Sequence, residues 1–300
     1  MTDASVLVIG LGSMGFGMAQ SCLRGGLATY GVDTNAEAEA RFAEIGGALL
    51  TADQDLDEFD VAVVVVLNAA QLNAVLFGPE GIVPQMRAGS VVIACPTVAP
   101  SVARKMAAQC ADSGVHYLDA PISGGSLKAA EGKLSIMASG STEAFAAARP
   151  VLNATSTTVF ELGTEPGKGS AMKAVNQLLA GVHIATMGEA MAFSMTQGIA
   201  PQTFLDVIRQ CAGSSWMLEN RAPHVIDGDY TPRSQVNIWP KDLGIVLDIA
   251  RDAGFSAPIT AAALQQYMVA VGMGLGAEDD AAITKVYARN AGLKLPVTDS

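Results

Sequence analysis

Val6-Leu7-Val8-Ile9-Gly10-Leu11-Gly12-Ser13-Met14-Gly15 decides the fold of this chain. Four apolar residues, three of them β-branched, run into glycines spaced Gly-x-Gly-x-x-Gly. The run reads as a strand buried on both faces, and the glycines as its turn into a helix. Gly10 allows a tight turn, Gly12 lets a pyrophosphate approach the backbone, and Gly15 lets helix and strand pack closely. Leu11, Ser13 and Met14 fill the turn, whose free amides and positive dipole end suit phosphates.

The spacing alone also fits a tight turn, since the chain holds 31 glycines. A second feature strengthens the dinucleotide reading. Ala28-Thr29-Tyr30-Gly31-Val32-Asp33 reads as the next strand and ends in an acid. Dinucleotide folds place an acid about 20 residues past the first glycine, where it accepts the ribose hydroxyls. Asp33 could instead only open the turn before a helix at Asn35. A carboxylate repels a 2′-phosphate, and Thr34, Asn35 and Ala36 offer no Arg to receive one, so NAD is expected rather than NADP.

At 300 residues two domains are expected. Half the residues are hydrophobic and 16% are charged, consistent with surface buried between subunits. A net charge of −11 argues against nucleic acid and leaves any acid substrate in need of local cations. Cys22, Cys95, Cys110 and Cys211 are scattered without a C-x-x-C pair, which fits a reducing compartment rather than a disulfide framework or zinc site. No metal is expected. Met1-Thr2-Asp3 leads straight into a strand with no basic, apolar leader, so a cytoplasmic location is expected. Gly169 to Thr196 is apolar and long, but Lys173, Asn176, His183 and Glu189 interrupt it. It reads as a buried central helix rather than a membrane span.

The first half alternates strand and helix. Strands are expected at Val61 to Leu67, Ser90 to Cys95, His116 to Asp119, Leu134 to Ser139 and Thr157 to Glu161, with helices such as Ala36 to Ile45 and Ser101 to Ser113 between the earlier ones. This rhythm predicts an α/β domain with a doubly wound, mostly parallel sheet over residues 1–163. Beyond Gly163 strands disappear. Helices are expected at Gly169 to Gln197, Pro201 to Gln210, Pro240 to Ala253 and Ile259 to Val271, so residues 164–300 form an all-α domain built on a long helix.

Three further segments carry unusual residues. Asp119-Ala120-Pro121-Ile122-Ser123-Gly124-Gly125 follows a strand, where open α/β sheets bind ligands. The Ser123 hydroxyl with the Gly124 and Gly125 amides could cradle a carboxylate; an ordinary Pro/Gly turn fits too. Lys173 and Asn176 share a helix face in an apolar segment. A lysine there can serve as an acid–base group, with Asn176 orienting it, or can simply snorkel to water. Trp239-Pro240-Lys241-Asp242 opens a helix. Asp242 suits a first turn, whereas Lys241 opposes the dipole, which marks it for function or for plain surface charge.

These segments, GLGSMGFGMA, DAPISGG, GKGSAMKAVN and KDLG in this order, resemble the β-hydroxyacid dehydrogenase family, which includes 3-hydroxyisobutyrate dehydrogenase and tartronate semialdehyde reductase, over essentially the whole chain. NQLLAGVHIA, AGSSWMLENRAPHVIDGDYTPRS and KDLGIVLD resemble its L-threonate dehydrogenase branch.

The resemblance implies a Rossmann domain and a helical domain with the active site in the cleft, and dimers or tetramers. Lys173 matches the catalytic lysine and Asn176 the asparagine that assists the substrate. Ser123, Gly124 and Gly125 match the carboxylate loop. Thr97 matches a threonine near nicotinamide and substrate, and Lys241 the lysine closing over both. Leu67-Asn68 stands where many members carry Leu-Pro, and Cys95-Pro96 where many carry Ser-Ser or Met-Ser; both flank the nicotinamide side. The implied reaction is hydride transfer between NAD and a small carboxylate, with Lys173 moving the hydroxyl proton and losing basicity through burial and the nearby cation Lys241. The branch implies L-threonate oxidised at C2; 3-hydroxyisobutyrate and tartronate semialdehyde are the alternatives. Ser214, Ser215, Trp216, Asn220 and Trp239 are the candidate pocket residues, or helix caps. A non-catalytic dinucleotide-binding module of this fold would keep the glycines and Asp33 yet lose Lys173 and the Ser123 loop.

Overall fold

A computed structural model describes residues 4–297, so Met1-Thr2-Asp3 lies outside the described residues. The chain divides into two compact units at Lys173/Ala174.

In the first unit β1 (Ser5–Ile9), β2 (Ala28–Val32) and β3 (Ala48–Leu49) alternate with α1 (Ser13–Arg24) and α2 (Ala36–Glu44). β4 (Val61–Val64), α3 (Ala69–Phe77), β5 (Val91–Ala94), α4 (Pro100–Asp112) and β6 (His116–Asp119) follow. These six strands form one parallel sheet in the order β3-β2-β1-β4-β5-β6, the dinucleotide-binding arrangement with its switch point between β1 and β4. The strands are continuously apolar because both faces are covered. Val6 and Val8 face a core with Met18 of α1 and Phe42 of α2, while Leu7 and Ile9 face another with Leu72 of α3 and Met106 of α4. Full burial of each such side chain contributes about 1.5–3 kcal/mol.

The later strands depart from a single sheet. β7 (Ile122–Ser123), α5 (Gly125–Glu131), β8 (Leu134–Ala138), α6 (Thr142–Thr155) and β9 (Ser156–Glu161) build a second, three-stranded sheet. β7 pairs antiparallel with β8, and β8 parallel with β9. The link from Ser123 to Leu134 is too short for an easy parallel crossover, so the chain doubles back. An isolated bridge, Asp119 to Ser139, ties the two sheets. The strands expected at Val61 to Leu67 and Ser90 to Cys95 run only over Val61–Val64 and Val91–Ala94.

α7 (Lys168–Thr196) crosses the division between the units as one 29-residue helix. Length and composition would let it span a membrane, but Ile184, Met187 and Met191 sit in the core of the second unit. α8 (Pro201–Ile208), α9 (Trp216–Asp227), α10 (Ile238–Asp252), α11 (Pro258–Gly272) and α12 (Thr284–Asn290) complete that unit. α9 escapes a sequence reading because Pro223 lies inside it. A Cβ on Gly181 would press on Trp239 and Leu243, so α7 and α10 pack closely there. Trp239 stacks on Tyr267 with ring centroids 5.6 Å apart, and the Tyr267 hydroxyl donates to the Gly181 carbonyl at 2.9 Å. Beneath lies a buried charge cluster. Arg221 Nε donates to Asp280 Oδ1 at 2.5 Å, Trp239 Nε1 to Asp280 Oδ2 at 3.1 Å, and His224 Nδ1 pairs with Asp279 Oδ1 at 2.8 Å.

Candidate active site

Parallel register sets the first part of the site. Ile9 pairs with Val32, so Gly10 and Asp33 leave the sheet side by side, and the Gly10 amide donates to the Val32 carbonyl at 2.9 Å. Gly10 has φ +94°, and a Cβ there would strike the Val65 carbonyl. A Cβ on Gly15 would overlap the Gly10 carbonyl. Gly12 has an ordinary φ of −64° and nothing within 4 Å of an added Cβ. It begins α1 without a side-chain cap. The turn therefore offers open room and uncapped amides at Ser13 and Met14, which fits a pyrophosphate. Asp33 Oδ2 accepts the Leu11 amide at 2.5 Å and Oδ1 the Asn35 amide at 2.8 Å. Each oxygen keeps a further lone pair for a ribose hydroxyl.

The ends of β4 and β5 carry the next residues. Leu67 is 56% exposed, and its amide donates to Gln71 Oε1 at 2.8 Å. Asn68 caps α3, its side chain accepting the Gln71 amide at 2.9 Å. A proline could not supply that cap, so the departure from Leu-Pro has a local structural reason. Thr97 is half-buried in the loop before α4. Cys95 is buried, and burial foremost pushes its thiol up to about 12, so it packs rather than reacts.

Ser123 ends β7, opposite Ser135 of β8. Gly124 (φ +137°) and Gly125 (φ +78°) follow in backbone that side chains rarely adopt, and turn the chain into α5. Lys173 lies on α7, 8% exposed, with Nζ donating to the Ile122 carbonyl at 2.9 Å. The proposed acid–base group thus meets the segment that leads into the carboxylate loop.

In the second unit the structure links two predicted residues through two that the sequence did not mark as functional. Asn176 Nδ2 donates to Gln177 Oε1 at 2.9 Å. Gln177 Nε2 donates to Asp242 Oδ2 at 2.5 Å, and Asp242 Oδ1 pairs with Lys241 Nζ at 2.7 Å. Asp242 is 2% exposed and Gln177 is buried. α10 begins at Ile238 rather than at the expected Pro240, so Lys241 is its fourth residue and not at the helix start, and Asp242 partners it there. The available signal was Gln177 beside Asn176, a polar pair in an apolar helix.

The candidate pocket residues divide. Ser215 caps α9 by accepting the Leu218 amide at 3.1 Å, and the Ser214 hydroxyl donates to Glu219 at 2.7 Å. Asn220 accepts from Arg221. Trp216 is exposed. Trp239 is a core residue at 3% exposure, held by Asp280 and Tyr267, which corrects its assignment to a pocket.

Residues 5–163 match the family described as the NAD binding domain of 6-phosphogluconate dehydrogenase, and residues 167–287 that described as NAD-binding of NADP-dependent 3-hydroxyisobutyrate dehydrogenase. The chain is 47% identical over 290 residues to L-threonate dehydrogenase of Cupriavidus necator, covering 96% of this chain and 97% of that protein. It is 44% identical over 297 residues to L-threonate dehydrogenase of Escherichia coli K12, covering 98% and 97%. A crystal structure of 3-hydroxyisobutyrate dehydrogenase from Salmonella typhimurium superposes with a TM-score of 0.89 at 45% identity, over 95% of this chain and all of that one.

Proposed function

Since the chain belongs to the β-hydroxyacid dehydrogenase family, we propose that it oxidises a small hydroxy acid, L-threonate, at C2 to the 2-oxo acid with NAD as acceptor. The observation that carries this reading is the buried Lys173 amine bonded to Ile122, immediately before Ser123-Gly124-Gly125.

A dinucleotide held by the glycine turn and Asp33 would supply the hydride acceptor. The chain supplies the rest. As a neutral amine bonded to the Ile122 carbonyl, Lys173 takes the substrate hydroxyl proton. As an ammonium it returns that proton in the reverse direction. Ser123 Oγ and the Gly124 and Gly125 amides take the carboxylate. We assign Asn176 to the substrate hydroxyl, Lys241 to substrate and cofactor, and Thr97 to both. Gly10, Leu11, Gly12, Ser13, Met14 and Gly15 hold the pyrophosphate, Asp33 the adenosine ribose, and Leu67 and Asn68 the nicotinamide side. Residues 1–163 serve as the NAD domain, and residues 164–300 as the substrate and oligomerisation domain.

A homodimer or homotetramer is proposed on the apolar side chains that the second unit leaves exposed, Leu179 and Phe193 on α7 with Ile259, Met268 and Val269 on α11. A cytoplasmic location fits the four unpaired cysteines.

The Salmonella structure's name favours 3-hydroxyisobutyrate as the second reading. Following NADH absorbance on L-threonate, D-threonate, the erythronates, 3-hydroxyisobutyrate and glycerate separates them. The highest kcat/KM is expected on L-threonate. Preference for 3-hydroxyisobutyrate discards the branch, and equal turnover of uncharged alcohols discards the carboxylate loop.

A further inference from the structure

We infer that Asp119 is a positioning residue for the reaction: its carboxylate fixes the first turn of α7, and through it the placement of Lys173 against the carboxylate loop. The inference rests on the role proposed above for Lys173.

Asp119 ends β6 and is 1% exposed. Its carboxylate meets four donors. Oδ2 accepts the Gly167 amide at 2.8 Å, the Ser170 amide at 2.8 Å and the Ser139 hydroxyl at 3.2 Å. Oδ1 accepts the Ser170 hydroxyl at 2.6 Å. The Ser139 oxygen in turn accepts the Gly169 amide at 3.0 Å. Amides that the start of a helix leaves unpaired are thus met by one carboxylate and one hydroxyl from the two sheets. A negative charge at this end also suits the dipole of a long helix. Burial raises the carboxyl above its ordinary value, while the bonds from Ser170, Gly167 and Ser139 draw it back.

Packing reinforces the lock. A Cβ on Gly169 would strike the Met137 carbonyl and come within 2.6 Å of the Asp119 carbonyl, so α7 approaches these strands at contact distance. Ser170 and Lys173 are three residues apart and lie on one helix face. Asp119 and Ile122 are likewise three apart. One short segment therefore grips α7 twice, by the Asp119 carboxylate at Ser170 and by the Ile122 carbonyl at Lys173. The same segment continues into Ser123-Gly124-Gly125. Removing the first grip loosens the turn that carries Lys173, so the lysine shifts relative to the loop that holds the acid. A displacement of about 1 Å in a reacting group costs as much as roughly 100-fold in rate.

The test is a cycle of Asp119→Asn, Lys173→Ala and the double variant, measured on the most active acid of the substrate panel. Asp119→Asn is expected to lower kcat by about 10- to 100-fold. The dissociation constant for NAD should stay near wild type, and the pH profile of kcat should shift because the surroundings of Nζ change. In the Lys173→Ala background the same substitution is expected to cost little further, because it acts through the lysine. Equal losses in both backgrounds, or a folded Asp119→Asn enzyme with wild-type kcat, overturn the inference. Ser170→Ala removes only the Oδ1 partner and is read alongside in case Asp119→Asn does not fold. Its kcat is expected to fall roughly 2- to 10-fold at unchanged NAD affinity, and a wild-type kcat there also overturns the inference. Lys173→Ala retaining full turnover would instead defeat the role given to Lys173, a result visible without any Asp119 variant.

Discussion

Asp33 Oδ2 accepts the Leu11 amide at 2.5 Å, so the acid that follows β2 is tied to the glycine turn that follows β1. A second carboxylate stands behind it, since Glu39 Oε1 accepts the Asp33 amide at 3.0 Å. Two acids at one corner disfavour a 2′-phosphate. Asp33→Ser with Thr34→Arg is expected to move the NAD/NADP ratio of kcat/KM toward NADP by roughly 100-fold, about 2.7 kcal/mol. A wild type that prefers NADP contradicts the assignment.

The three glycines separate folding from binding. Gly12→Ala meets open space at an ordinary φ, so its melting temperature should match wild type while NAD affinity falls at least about tenfold. Gly15→Ala strikes the Gly10 carbonyl and should lower stability by more than about 1 kcal/mol. Thermal melts and NAD titrations of both variants check the split. A Gly12→Ala enzyme with unchanged NAD affinity removes the pyrophosphate from this turn.

Lys173→Ala should lower kcat by about 10²- to 10⁴-fold while NAD binding persists, because Nζ, bonded to the Ile122 carbonyl, carries the proton whereas the glycine turn and Asp33 are assigned the dinucleotide. Single-turnover NADH formation with a parallel NAD titration measures both.

Gln177→Leu cuts the chain from Asn176 through Asp242 to Lys241. It strips a buried carboxylate of a 2.5 Å bond, for which about 1–3 kcal/mol of stability should be lost. The Michaelis constant for the acid should rise, because Asn176 and Lys241 lose their common anchor. Denaturant midpoints and KM together test this, and a wild-type KM would mean that the chain serves packing alone.

Asp279 shapes the acid limb of stability. Burial alone would raise its carboxyl, but the bonds from His224 and from the Arg233 and Ala281 amides outweigh it and hold it below the ordinary 3.8. A depressed acid contributes stability that is complete above the unfolded value and is lost as pH falls through the folded one. Melting temperatures should therefore fall below about pH 4, and less steeply in Asp279→Asn. Parallel slopes in the two proteins would place the acid limb elsewhere.

What was legible in the sequence was local. The continuous apolar run Val6 to Ile9, the backbone demands on Gly10 and the close approach at Gly15 are written within ten residues, and Asp33 follows from one strand–helix–strand unit. Lys173, Asn176 and Lys241 stand out in the sequence as polar or charged residues in unfavourable places, but their roles follow only from the motif likeness. What escaped depends on distant pairings. The second sheet needs β8 to find both β7 and β9. The Asp119 grip joins residues 51 apart, and the Gln177–Asp242 bond residues 65 apart. Neither distance leaves a periodic mark on the chain.

α7 also works as a ruler. Each added residue turns a helix by about 100° and lengthens it by about 1.5 Å. From Ser170, which Asp119 grips, to Lys173, and separately from Asn176 to Gly181, which seats Trp239, the helix has no loop to absorb a change in count. A single inserted residue there would swing Lys173 or Asn176 to another face, and a deletion would do the same in reverse. Substitutions along these stretches are open to gradual change, whereas their length is not, and enzymes diverging from this chain in substrate should vary in composition there while keeping the same count.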